Sequence, residues 1–93
     1  MAARPYRIFE TLEVLAILRD ANPTVLRALA REVYPALRED PTNLSGRGPI
    51  AWEPEWFVYR AELPSGRLVV TYQVLDDERM ILISAIDLIP HQL

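Results

Sequence analysis

Apolar residues recur along this chain with two different periods, and the change of period divides it in two. Apart from a short strand-like run from Arg4 to Phe9, the spacing is helical up to Asp40. From Trp56 to Ile89 it alternates as strands do. Tyr6, Ile8 and Phe9 give the first run strand character, and Pro5 suits the start of an edge strand. From Thr11 to Ala21 a helix is expected, with Thr11 as its cap. Leu12, Leu15 and Ala16 share one face, and Val14 and Leu18 broaden it. Glu10, Glu13 and Asp20 occupy one narrow sector, so this helix is expected to be buried on more than one side. Asn22-Pro23 caps and opens the next helix, Pro23 to Glu39. There Leu26, Leu29, Ala30, Val33 and Leu37 form a core-facing stripe. Pro35, lacking an N–H, is expected to bend the helix near Arg31 to Tyr34.

Residues Pro41 to Pro54 are rich in Pro, Gly, Asn and Ser and read as a connector without regular structure, pinned by Trp52 and Trp56. Three strands follow, separated by turns at Pro64-Ser65-Gly66 and Asp76-Asp77-Glu78. In the first, Phe57, Tyr59, Ala61 and Leu63 point inward, while Val58, Arg60 and Glu62 point outward. In the second, Leu68, Val70, Tyr72 and Val74 point inward, and Arg67, Val69, Thr71 and Gln73 outward. Met80 to Ile89 is nearly continuously apolar, as a central strand covered on both faces would be. The expected fold is α+β: a single domain spanning 1–93, with a short N-terminal strand and a two-helix hairpin packed on an antiparallel sheet of three to four strands.

Composition narrows the functions open to such a domain. The apolar fraction of 51% is high for 93 residues, so part of that surface is expected to meet a partner or a second copy. There is no cysteine, hence no disulfide, thiolate metal site or cysteine nucleophile. No apolar run reaches the length of a membrane span and no secretion signal is evident, which implies a cytoplasmic protein without membrane association. The net charge of −3 runs against nucleic-acid binding by bulk charge, leaving only local basic patches for that role.

Two such patches stand out. On the second helix Arg27, Arg31, Tyr34 and Arg38 recur at helical spacing, about 115° from the core stripe; they suit phosphates, an acidic partner segment or plain solvation. Arg60 and Arg67 point outward from adjacent strands near one end of the sheet. A guanidinium forks onto two phosphate oxygens and stays charged at any working pH, though Arg60 could equally pair with Glu62, Asp76 or Glu78. His91 is the one side chain that titrates near neutrality, and as a catalytic acid it would have to dock against the sheet. With a single histidine, zinc motifs of the HExxH type are excluded; no metal or cofactor is expected.

These residues carry a resemblance. Leu37-Arg38-Glu39-Asp40-Pro41, Leu44-Ser45-Gly46, the run from Arg67 to Asp77 and the run from Met80 to Ile86 together resemble the RelE/ParE superfamily of bacterial toxins from type II toxin–antitoxin pairs. The resemblance spans Tyr6 to about Ile86 through short, hydrophobic motifs. It implies a strand, two helices and an antiparallel sheet whose free face lines a concave site. It implies a cytoplasmic toxin partnered by a cognate antitoxin, with the ribosome and mRNA as targets of an endoribonuclease, or DNA gyrase as the target of a ParE-like poison. RelE-like members cut mRNA on the ribosome with basic residues of the sheet face plus a C-terminal arginine and tyrosine. Arg60 falls near one such basic position. Arg67 lies two residues before another, where Val69 stands, and the even shift keeps the same face. In place of the terminal arginine this chain has Asp87-Leu88-Ile89-Pro90, and the tyrosine has no counterpart. The catalytic candidates are therefore Arg60, Arg67 and His91, with Arg27, Arg31, Tyr34, Arg38 and Arg47 as candidates for binding RNA or a partner. A non-catalytic interaction module that keeps the fold, or a homo-oligomer, fits the same residues.

Overall fold

A computed structural model describes residues 5–42, 47–50 and 53–91, with side chains for all but 47–50 and 53–55. Strand β1 (Arg7–Glu10) leads into helix α1 (Leu12–Arg19), which Thr11 caps by accepting a hydrogen bond from the Val14 amide. Asn22 caps α2 (Pro23–Ala28) in the same manner through the Thr24 amide, with Pro23 at the first helical position. A π-helical turn (Leu29–Val33) joins α2 to α3 (Tyr34–Glu39). Strands β2 (Arg47–Ile50), β3 (Glu53–Leu63), β4 (Gly66–Leu75) and β5 (Met80–Pro90) complete the chain. One five-stranded sheet results, in the order β1-β5-β4-β3-β2. The last four strands run antiparallel, and β1 joins β5 in parallel.

The π turn is the structural answer to Pro35. The Tyr34 amide reaches back to the Leu29 carbonyl, five residues away, so the backbone widens where the proline ring would otherwise crowd the Arg31 carbonyl. The rod continues through Pro35 instead of breaking. Its buried residues are Val25, Leu29, Val33 and Leu37. That four-residue spacing drifts by about 40° per step on a regular α-helix, and the wide turn takes back part of the drift. Leu26 and Ala30, expected in the stripe, are exposed instead.

Three further expectations are corrected. Helix α1 is buried along one side only: Val14 is fully enclosed and Leu18 packs partly, while Leu12 is 84% exposed and Leu15 and Ile17 nearly half exposed. The face carrying Leu12, Leu15 and Ala16 is the open one. The connector contains a strand, because β2 pairs with β3 through Arg47↔Tyr59, Gly48↔Val58 and Pro49↔Phe57. Trp52 lies outside the described residues. Strand β5 is central, yet its last four residues, Asp87 to Pro90, are exposed. A bulge at Ser84 shifts its phase: Ile81 and Ile83 face the core before it, and Ile86 after it.

The core lies between the helices and one face of the sheet. Leu68, Val70, Tyr72 and Val74 supply it from β4, with Ala61 and Leu63 from β3, as their alternation implies. The Tyr72 hydroxyl donates to the Pro41 carbonyl and so anchors the chain as it leaves α3. The Tyr6 amide bonds the Arg38 carbonyl, and the Tyr6 hydroxyl donates to Asp76, tying the N-terminal segment to both α3 and the β4–β5 turn. Among the described residues no helix is long and apolar enough to cross a membrane.

Candidate functional site

Cross-strand pairing fixes which residues share the sheet face turned away from the helices, because directly paired residues point to the same side. At one end Glu62, Arg67 and Ile89 form a row across β3, β4 and β5. The next row is Arg60, Val69 and Asp87, followed by Val58, Thr71 and Ala85. Arg60 and Arg67 therefore stand on one face as diagonal neighbours, the spacing at which long side chains meet. They are not equivalent. Arg67 Nε donates to Glu62 Oε1 at 2.5 Å, both side chains being more than half exposed. Arg60 is exposed and has no ion-pair partner among the described residues.

His91 does dock. Its Nε2–H donates to the Leu63 carbonyl at 2.9 Å and lies 4.0 Å from Glu62 Oε2. The close approach of two strand ends makes this contact. A Cβ on Gly66 would stand 2.4 Å from the Ile89 carbonyl oxygen, so only glycine lets β4 begin so near the end of β5. Arg67, Ile89, Pro90 and His91 line a cleft of about 240 Å³ there. Glu62 is thus the hub, with a guanidinium on one oxygen and an imidazole near the other. Sequence reading had it only as a possible mate for Arg60. The cue was its direct pairing with Arg67 across the Pro64-Ser65 turn.

The helical stripe divides. Arg27, Arg31 and Arg38 are exposed, whereas the Tyr34 ring packs against the core and its hydroxyl is enclosed without a hydrogen-bond partner. Burial, with the Glu10 carboxylate adding to it, pushes the Tyr34 phenol up to about 12. The hydroxyl is thereby withdrawn from solvent, while the ring as a whole is only partly buried. Arg47 opens β2, and its side chain lies outside the described residues. At the opposite end of the sheet a second cleft, about 540 Å³, is lined by Pro5, Arg7, Asp77, Glu78 and Arg79. Arg79 sits at φ 52° in the β4–β5 turn with its guanidinium 4.0 Å from the centre of the Tyr6 ring. Tyr6 is pushed above its usual phenol value, first by its bond to Asp76 and then by burial.

All ten basic side chains of the chain are arginines. No lysine amine is available as a base, and every cation keeps its charge across the working pH range. The described site brings two guanidinium groups and one imidazole to the same end of the sheet.

Neither a family model nor a curated protein matches the sequence. Solved structures do match in shape. The isolated E. coli RelE toxin superposes with a TM-score of 0.72 at 20% identity, over 94% of this chain and 87% of that one. An E. coli RelE mutant in complex with an antitoxin RelB peptide gives 0.70 at 20% identity, over 94% and 86%. A chain of the toxin–antitoxin complex RelBE2 from Mycobacterium tuberculosis gives 0.68 at 23% identity, over 91% and 99%. By the course of its backbone from β1 to β5, the chain has the RelE fold.

Proposed function

We propose that this chain is the toxin of a type II toxin–antitoxin pair and acts as a ribosome-dependent mRNA endoribonuclease with a reduced active site. The observation that carries this reading is that Arg60 and Arg67 share one face of a RelE-type sheet, with His91 docked beside Arg67. In RNA cleavage the 2′-oxygen bonds to phosphorus, the bond to the 5′-oxygen breaks, and negative charge accumulates on the phosphate oxygens. Arg60 and Arg67 offset that charge. With Nε2–H held by the Leu63 carbonyl, a protonated His91 gives its Nδ1 proton to the departing 5′-oxygen, and the 2′-hydroxyl proton passes to water. The ribosome holds the RNA in line, which is why so few groups suffice. The open side of α1, with Leu12, Leu15 and Ile17, is where an antitoxin segment would cover apolar surface, and Arg27, Arg31 and Arg38 would meet its acidic residues or rRNA.

A second reading has its own observation. The Glu62 carboxylate already neutralises Arg67, as a fold retained for protein interaction alone would allow. Induced expression in a bacterial host separates the two. Growth arrest with mRNA cleavage, lost in Arg60→Ala with Arg67→Ala, supports the nuclease, and harmless expression supports the interaction module. Arrest that survives both substitutions, without RNA cleavage, points to a protein target such as DNA gyrase.

A further inference from the structure

Beyond the arginine rows, the same sheet face carries an aromatic row. Trp56 pairs with Gln73, Gln73 with Leu82, and Leu82 with Phe9, so one line crosses β3, β4, β5 and β1 on the side away from the core. Trp56 at one end is partly exposed, and Phe9 at the other is 41% exposed. The guanidinium of Arg7, two residues before Phe9 and on the same face, lies 5.7 Å from the centre of the Phe9 ring. Between this row and Arg60 lie Val58, Thr71 and Ala85, which are small and form a low floor. Trp56 and Arg60 are separated by about 14 Å along the strand at strand rise, and Trp56 and Phe9 by about 14 Å across three strand spacings. Charge on the face is locally basic: Arg7, Arg60 and Arg67 stand against Glu62 and Asp87, in a chain that is acidic as a whole.

We propose that this face is a platform for single-stranded RNA, on which one base stacks on the Trp56 indole and a second meets the Arg7–Phe9 stack, while the backbone crosses the floor toward Arg60. Bases have π faces and phosphates have charge, and this face offers aromatic planes at one side of a shallow floor and a guanidinium at the other. An apolar protein segment would use the aromatics but would leave Arg60 without a partner. The assignment deepens the nuclease reading and rests on it for the choice of RNA. It makes Trp56 a substrate-positioning residue, remote from the reacting phosphate.

The test is fluorescence anisotropy of a labelled eight-nucleotide uridine or adenosine RNA with the full chain at low salt, folding of each variant being checked by its thermal melt. Trp56→Ala is expected to weaken binding roughly tenfold to a hundredfold, and Trp56→Phe to restore most of it. Phe9→Ala, on a different strand, is expected to weaken it less and independently. If Trp56→Ala unfolds the chain, quenching of indole emission by the RNA in Trp52→Phe, which leaves Trp56 as the sole indole, serves instead. Wild-type affinity in Trp56→Ala, or an indole that RNA leaves unquenched, overturns the platform. RNA cleavage on the ribosome that persists in such a variant with KM unchanged overturns the platform and leaves the nuclease standing. RNA binding through Trp56 without any cleavage or arrest keeps the platform and removes the nuclease. A wild-type chain that ignores RNA but binds antitoxin through Trp56 overturns the RNA assignment.

Discussion

At the scale of single residues, the site is governed by Glu62. Its exposed ion pair with Arg67 contributes little to stability, so Glu62→Gln is expected to shift the unfolding free energy by no more than about 0.5 kcal/mol in urea titrations. The same change releases a guanidinium for phosphate and should tighten RNA binding several-fold, whereas Glu39→Gln, with equal charge but on α3, should not. Tyr34 poses a different problem. Its enclosed hydroxyl lacks a partner, so Tyr34→Phe is expected to stabilise the fold by about 1 kcal/mol. The phenol also makes the fold sensitive to alkali. The unfolded chain releases that proton near pH 10 and the folded one near 12, so between these values the folded state binds more protons and stability falls as pH rises. Melting temperatures from pH 9 to 11.5 should drop less steeply in Tyr34→Phe, with a smaller drop remaining from Tyr6. The sequence offers Glu62 only as a possible mate for Arg60, and it does not show the enclosure of the Tyr34 hydroxyl. A partner across a turn requires the register, and an enclosed oxygen requires knowing how a wide helical turn rotates the residues after it.

The elements themselves were easier to read. Alternation identified the inward and outward residues of β3 and β4, and caps at Thr11 and Asn22 marked two helix starts. Along α1 the expectation fails because a hydrophobic residue need not be buried inside its own chain. Leu12, Leu15 and Ala16 do share a face of α1, and it points to solvent. Replacing Leu12 and Leu15 by glutamate should therefore leave chain stability within about 0.5 kcal/mol and, on the proposed toxin reading, abolish antitoxin capture in a co-purification. Strand β2 was hidden because glycine and proline mark loops, although proline is admitted on an edge strand, which β2 is. At Gly66 the constraint is tertiary. Gly66→Ala drives a methyl into the Ile89 carbonyl and is expected to cost about 1–3 kcal/mol and to detach His91 from Leu63. Urea unfolding gives the first, and the imidazole NMR shifts give the second.

Across the whole molecule, the α+β architecture and its helix-on-sheet layering follow from the sequence, because after the short first strand a long helical pattern gives way to sustained alternation. The mixed character of the sheet does not, since nothing local tells a parallel neighbour from an antiparallel one. Stability rests on a single core between the two layers. Leu68, fully enclosed at its centre, should cost about 2–5 kcal/mol when cut to alanine. That is a large share of the ~5–15 kcal/mol that holds a domain together, and a fall of the urea midpoint would record it.

Strand β5 lies inside the sheet, between β1 and β4, and β1 has no other neighbour there. The parallel pairing that seats β1 in the sheet therefore cannot form until Met80 to Pro90 has been synthesised, whereas β2, β3 and β4 can already pair with one another.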